Sequence, residues 1–340
     1  MIPARGRTPA VAAVRSAVRA TLSGLAPGDL VLVACSGGPD SLALAAAVAA
    51  EAPRVGLRAG AVTVDHGLQA GSVERAASVA ATCRDLGLDP VEVAAVLVGT
   101  AGGPEAAARE ARRGALIEVA DHAGAVAVLL GHSRDDQAET VLLGLARGSG
   151  ARSLAGMAPV SGPAGVFLRP LLDLPRALLA DACAQAGLMP WADPHNTDPR
   201  FARVRVRDRV LPVLEAELGP GVAAALARTA ALLRADADAL DAWAADVRAA
   251  LMDVPGRLPV GALESLPAAV RRRILRAAAL AAGAPAGALS AAHVAAIDSL
   301  VTGWHGQGPL DLPGGVLASR VCGTLLLWTS STSPGTSRRS

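Results

Sequence analysis

Through the first 130 residues, short apolar runs alternate with longer segments whose apolar positions recur at helical spacing. Val11, Val14, Val18, Leu22 and Leu25 predict an opening helix. Asp29 to Cys35 then reads as a short buried strand and Ser41 to Ala50 as a helix. A second strand, Ala59 to Val64, delivers Asp65 and His66 at its end; a helix from about Val73 to Leu86 and a strand from Val91 to Val96 follow. Pro104 to His122 predicts a helix carrying Arg109, Arg112 and Arg113, and Ala125 to Leu130 is a fourth strand closed by Gly131 and His132. Strand and helix alternating in this way predict an α/β fold, a doubly wound and mostly parallel sheet. Ligands of such sheets bind beyond the carboxyl ends of the strands, so the loop after the first strand, Asp65, His66 and His132 are expected in one crevice. The second half changes character. Glu215 to Met252 and Leu263 to Ala282 predict alanine-rich helices of a smaller, mainly helical domain, Leu312 to Trp328 a hairpin turning at Pro313-Gly314-Gly315, and Thr329 to Ser340 a disordered tail.

The loop after the first strand reads Ser36-Gly37-Gly38-Pro39-Asp40-Ser41. Between a strand and a helix N-terminus, such a turn aims backbone N–H groups and the positive end of a helix dipole at whatever lies above it, which suits an anion. Gly37 and Gly38 permit close approach and positive φ. Ser36 and Ser41 add hydroxyls. Asp40 is a poor phosphate ligand alone and makes sense as the ligand of a Mg²⁺ ion that bridges phosphates.

Composition narrows the chemistry. None of the 340 residues is a lysine, which argues against a Walker-type loop and against any lysine nucleophile belonging to the protein itself. The four cysteines, Cys35, Cys83, Cys183 and Cys322, form no Cys-x-x-Cys pair, as befits a reducing cytoplasm. No apolar stretch is long enough to span a bilayer, and Arg15 and Arg19 interrupt the N-terminal segment, unlike a secretory signal. A net charge of +2 means that a polyanionic partner must be met by a local patch.

A second constellation, Gly131-His132-Ser133-Arg134-Asp135-Asp136-Gln137-Ala138-Glu139-Thr140, runs into the apolar helix Val141 to Ala146. Ser133 or Asp135 can cap that helix. Asp136 and Glu139 share one helical face, where two carboxylates beside a histidine could bind a metal, orient an ammonium group, or simply favour a helix start.

These segments together resemble the tRNA(Ile)-lysidine synthetases, a family of the PP-loop ATP pyrophosphatase superfamily with a Rossmann-like sheet. Ser36 to Ser41 matches the superfamily's SGGxDS loop, Val64 to Leu68 resembles the family's VDHGL segment, and Ala108 to Arg112 resembles its arginine-bearing helix. Gly131 to Gly150 is similar to its most diagnostic stretch; Arg169 to Leu172, Trp191 to Asp198 and Leu312 to Gly315 also fit. The resemblance implies a ligase that replaces the C2 oxygen of the wobble cytidine in the CAU anticodon of isoleucine tRNA with lysine. The base is first adenylated by ATP with loss of pyrophosphate, and free L-lysine then displaces AMP. Ser36, Gly37, Gly38, Pro39, Asp40, Ser41, Asp65 and His66 would hold ATP, with Mg²⁺ on Asp40. Arg112 would neutralise phosphate charge, His132 would lie beside the adenylate, and Asp136 and Glu139 would receive the amino groups of lysine or help deprotonate the attacking one. Residues 1–212 would form the catalytic domain and 213–328 a tRNA-binding domain.

Four positions depart from the family pattern: Ser133 where a second histidine is common, Gln69 for an arginine, Arg113 for an aromatic residue and Val204 for an asparagine. Arg203, Arg205, Arg207 and Arg209 alternate and, if extended, would share one face suited to tRNA phosphates. Larger family members carry a further C-terminal domain for which this chain has no room. The grip on tRNA then falls to the helical domain, to the arginine row, or to the second copy of a homodimer. Another PP-loop enzyme that modifies tRNA or forms amides would use the same ATP loop, although thiolases with an iron–sulfur cluster need clustered cysteines.

Overall fold

A computed structural model describes residues 8–65, 67, 71–96, 104–148, 150–191, 193–251 and 256–329. His66, Gln69 and the tail beyond Thr329 lie outside them. The chain divides into two compact units between Arg234 and Ala235, a point inside one long helix.

In the first unit, helix α1 (Pro9–Leu22) precedes β1 (Leu30–Ala34), α2 (Pro39–Glu51), β2 (Arg58–Asp65), α3 (Ser72–Asp85), β3 (Val91–Ala95), α4 (Pro104–Ala123), β4 (Ala125–Leu130) and α5 (Arg134–Ala146). A short α6 (Ala151–Leu154), the strand pair β5 (Val160–Ser161) and β6 (Phe167–Leu168), and α7 (Arg176–Gln185) follow. The strands lie in the order β3-β2-β1-β4-β6-β5, all parallel except the edge strand β5. β1 is buried throughout and alternates between two cores. Val31 and Val33 pack with α1, α2 and α7, whereas Leu30, Leu32 and Ala34 pack with Leu116 and Ala120 of α4. Burial on both faces is why the strand reads as a continuous apolar run. Chain order reverses between β1 and β4, so the crevice of such a sheet opens over the loops that follow these two strands.

The segment after Phe201 is helical, not extended. It comprises α8 (Ala202–Arg205), a π-helical stretch Val206–Val210 and α9 (Leu211–Glu217). The alternating arginines therefore do not form a row. Arg203 and Arg207, four apart, share a face, while Arg205 turns away and donates to the Pro199 and Arg200 carbonyls at 2.7 and 2.8 Å. Gly219-Pro220-Gly221 breaks the long helix expected from Glu215, and α10 (Val222–Leu251) starts after it. Glu215 accepts the N–H groups of Gly221 and Ala223 at that start.

The second unit continues with β7 (Arg257–Pro259), α11 (Val260–Glu264), α12 (Ala268–Ala281), α13 (Ala291–Thr302), β8 (Leu310–Leu312), β9 (Val316–Val321) and β10 (Thr324–Thr329). Pro267 splits the helix expected over 263–282, because proline ends one helix and starts the next. The expected single hairpin is a three-strand meander. Its first turn is Pro313-Gly314-Gly315 and its second Cys322-Gly323, and β7 completes an antiparallel sheet in the order β7-β10-β9-β8. The arginines of α12 serve this core. Arg271 Nε donates to Asp298 Oδ1 at 2.6 Å, Arg272 Nε to Asp298 Oδ2 at 2.9 Å, and Arg273 Nε to Asp241 at 2.6 Å. Among the described residues no single helix is long and apolar enough to cross a membrane.

Burial would raise the Asp298 carboxyl, but the hydrogen bonds from Arg271 and Arg272 outweigh it and hold it below the usual aspartate range. Asp298→Ala leaves Arg271 buried without a partner and should lower the stability of the second unit by about 3 kcal/mol in urea unfolding. The difference from wild type should be full above the ordinary aspartate pKa of about 3.9 and shrink as pH falls through the depressed value.

Candidate active site

The loop after β1 is held by its own side chains. Gly37 sits at φ 82°, and Gly38 is the N-cap of α2 at φ −74°, so only the first glycine needs the left-handed region. A Cβ on Gly37 would also stand 2.7 Å from Val79 Cγ2. The Gly37 carbonyl accepts the Trp191 N–H at 2.9 Å. Ser41 is buried; its hydroxyl accepts the Ser36 N–H at 3.2 Å and donates to the Gly38 carbonyl at 3.0 Å. Ser41 is thus a tie within the loop, and Ser36 is the exposed hydroxyl. Pro39 opens α2 with an N–H it does not need.

A cavity of about 380 Å³ lies over this loop, lined by Ser36, Gly37, Gly38, the Val62–Asp65 end of β2, Arg75, Val79, Arg112, Trp191 and Asn196. It has the makings of a nucleotide site, with the backbone of Gly37 and Gly38, the apolar side chains of Val62, Val64, Ala76 and Val79, and the cation of Arg112 all in its lining. Burial, then the neighbouring Arg109, holds the Arg112 pKa below its ordinary value. Asp65 accepts the Gly67 N–H at 2.9 Å and so shapes the turn after β2. The Arg75 guanidinium lies 4.6 Å from the Trp191 ring centroid and braces that wall. The expected crevice therefore gathers the loop, Asp65 and Arg112. His132 does not line it.

The other half of the site is an ionic network. Ser133 caps α5 in a capping box: its N–H and hydroxyl both donate to Asp136 Oδ2, at 2.7 and 2.8 Å. Asp135 instead accepts the N–H of Arg176 at 2.8 Å, and the Arg134 N–H bonds the Leu174 carbonyl at 2.9 Å, so α5 and α7 start side by side. From that position Arg176 reaches three carboxylates. Nη2 donates to Asp136 Oδ1 at 2.7 Å, Nη1 to Glu139 Oε1 at 3.1 Å, and Nε stands 3.6 Å from Asp40 Oδ2. Arg207 Nε donates to Glu139 Oε1 at 2.8 Å, and Arg203 Nη1 lies 3.6 Å from Glu139 Oε2. Burial works against the Arg176 cation, but the three carboxylates outweigh it and raise its pKa. Asp136, which burial alone would raise, is held below the usual range by Arg176 and the Ser133 N–H. A second cavity of about 200 Å³ opens beside Glu139, Arg176, Arg207 and Glu215.

Asp40 joins the two halves. Its Oδ2 faces Arg176, while Oδ1 is buried with no hydrogen-bond partner. Burial, only partly offset by Arg176, pushes its pKa up to about 6. An orphaned buried carboxylate oxygen beside a phosphate cradle suits a hard cation, and Mg²⁺ characteristically takes one or two protein carboxylates and completes its shell with phosphates and water. No cluster of three metal-ligating side chains occurs among the described residues. Gly131 lets β4 pass close by: a Cβ there would sit 3.2 Å from the carbonyl of Asp40 and from Ser41 Cα.

Sequence reasoning missed Arg176, whose local cue is a proline before a helix, and gave Arg169 no role. Arg169 Nε donates to His132 Nδ1 at 3.2 Å. Val204, where the related pattern has asparagine, is buried and apolar in α8.

With this geometry established, the chain was compared with known proteins. A family described as PP-loop domain matches residues 13–214, and one described as TilS substrate binding domain matches residues 258–326. The chain is 61% identical over 322 residues to the tRNA(Ile)-lysidine synthase of Thermobifida fusca, covering 95% of this chain and 98% of the relative. It is 56% identical over 348 residues to the enzyme of the same name from Streptomyces coelicolor, covering 95% and 99%. Among solved structures, the U34-tRNA thiolase NcsA from Methanococcus maripaludis, with its [4Fe-4S] cluster, is similar at a TM-score of 0.56 and 21% identity, over 66% of this chain and 80% of that one. That likeness is one of fold.

Arg176→Met strips three facing carboxylates of their shared cation. It should cost the first unit about 2 to 3 kcal/mol, read from its thermal or urea transition, and Arg176→Lys should restore only part because an ammonium is not a planar fork.

Proposed function

The chain belongs to the tRNA(Ile)-lysidine synthase family, and on that premise we propose that it ligates lysine to C2 of the wobble cytidine in the CAU anticodon of isoleucine tRNA, consuming ATP. The observation that carries the reading at the level of the site is the junction at Asp40, where a phosphate cradle meets a carboxylate pair suited to a diamine.

The attacking O2 of the cytidine displaces pyrophosphate from the α-phosphate of ATP. The backbone N–H groups of Gly37 and Gly38, the dipole of α2 and Arg112 stabilise the charge that gathers on the leaving group. Asp40 would hold Mg²⁺ through its orphaned Oδ1, and the ion when bound would neutralise phosphate charge. Lysine, which the chain must take from solution, then attacks C2 through its ε-amine and releases AMP. Asp136 and Glu139 receive its amino groups. Both carboxylates are engaged by Arg176, Arg203 and Arg207, and lysine would bind them by displacing part of that ion-pair network. Exchange of one cation for another keeps the buried charge balanced. Arg205 and Arg209 are the exposed arginines of this segment and can face tRNA phosphates. The second unit or a second copy of the chain would hold the rest of the tRNA. The use of ATP and tRNA as substrates supports a cytoplasmic enzyme.

The test is incubation with ATP, radiolabelled lysine and an unmodified isoleucine tRNA transcript bearing CAU. Label should enter the tRNA and pyrophosphate should be released. Pyrophosphate without label would point to a different PP-loop reaction, and neither product would sink the reading. Asp40→Asn should lower pyrophosphate release by about 100-fold or more. Asp136→Asn should raise the KM for lysine at least about tenfold and leave that for ATP nearly unchanged; an unaltered rate at limiting lysine would refute the assignment.

A further inference from the structure

His132 is held at the end of β4 by an unusual partner. Its Nδ1 accepts a hydrogen bond from Arg169 Nε at 3.2 Å. A guanidinium has donors only and keeps its protons, so Nδ1 must present its lone pair. A neutral imidazole has one N–H, which is then on Nε2. The doubly protonated ring would set an N–H against an N–H across the same contact.

Arg169 is in turn fixed. Its Nη1 donates to the Ala158 carbonyl at 2.7 Å and to Ser161 Oγ at 2.8 Å, and its own N–H bonds the Pro159 carbonyl at 2.8 Å. Gln137 clamps Met157 from both sides, at 2.7 and 2.8 Å, and Arg234 donates to the Gly156 carbonyl at 2.7 Å. The segment that holds Arg169 is therefore itself tied to α5 and α10.

We propose that Arg169 is a positioning residue that locks His132, next to the Ser133–Asp136 cap, as the neutral Nε2–H tautomer, so that through lysidine formation His132 keeps a fixed Nε2–H donor and takes no proton. The inference rests on the functional reading above and deepens it. The charged surroundings agree. Burial, then the cations Arg169, Arg112 and Arg203, outweigh the facing carboxylate Asp136 and pull the His132 pKa down to about 3. A ring so placed is uncharged wherever the enzyme works and cannot alternate between acid and base. Proton acceptance from the lysine ammonium is left to the carboxylates and water.

The test is two-bond proton–nitrogen spectroscopy of the full chain labelled with ¹⁵N-histidine, the signal of His132 being picked from the six histidines by its loss in His132→Gln. Wild type should show the Nε2–H tautomer with no titration between about pH 5.5 and 8.5, the window in which an ordinary histidine titrates. Arg169→Met should give mixed tautomers and a titration within that window. Ser161→Ala, which removes one anchor of Arg169 and not its bond to His132, should keep the wild-type spectrum and reports on folding of the segment. In the lysine incorporation assay His132→Gln, whose amide N–H replaces the Nε2 donor, should retain at least about tenfold more kcat than His132→Ala. An Nδ1–H tautomer or a titrating His132 in wild type, an unchanged spectrum in Arg169→Met, or Gln no better than Ala would each overturn the proposal. Absence of any lysine incorporation by wild type would overturn the functional reading instead and leave the spectra to decide the tautomer.

Discussion

Three carboxylates from two helices meet on one guanidinium, and the rest of the site is arranged around that contact. Asp40 stands in the first turn of α2, Asp136 and Glu139 in the first two turns of α5, and Arg176 opens α7. Without the cation, the loops after β1 and β4 would bring like charges together in a partly buried space, where repulsion is poorly screened. With it, Gly131 can lie against the backbone of Asp40, and the phosphate cradle stands beside the acidic pair. Arg203 and Arg207 add positive charge from a neighbouring helical segment. The balance still leaves one oxygen of Asp40 buried and unbonded, a position that suits a hard cation.

Arginine does two kinds of work in this lysine-free chain, and location separates them. On α12, Arg271 and Arg272 fasten α13 through Asp298, and Arg273 fastens α10 through Asp241. These are structural pairs in spite of their run of positive charge along the sequence. Around the site, Arg112, Arg169, Arg176, Arg203 and Arg207 instead set the charge and orientation of groups that face cavities. A clustered arginine stretch thus says little about nucleic acid until its partners are known.

The sheet and its loop were legible because local physics dictates them. The strand from Leu30 to Ala34 is apolar on both faces because both faces are covered, and Ser133 caps α5 through contacts within four residues. The arginine segment misled for an equally physical reason. Alternation at Arg203, Arg205 and Arg207 mimics a strand, whereas packing of Val204 and pairing with Glu139 select a helix, and a π-helical turn alters its register. The long helix drawn from Glu215 and the one drawn across Pro267 fail at proline, a local rule that was there to be read. Arg176 and Arg169 were out of reach. Arg169 stands 37 residues from His132, and Arg176 stands 37 to 41 residues from Asp135, Asp136 and Glu139 and much farther from Asp40; no periodicity connects them, only the folded sheet does.

In the proposed function the cradle serves to adenylate a base in tRNA before the amine arrives. Exchange of labelled pyrophosphate into ATP tests that order directly. With Mg²⁺, ATP and the CAU isoleucine tRNA, but no lysine, the enzyme should catalyse exchange, and omission of the tRNA should abolish it. Exchange that needs lysine but not tRNA would mean that the amino acid is activated instead, and would contradict the account.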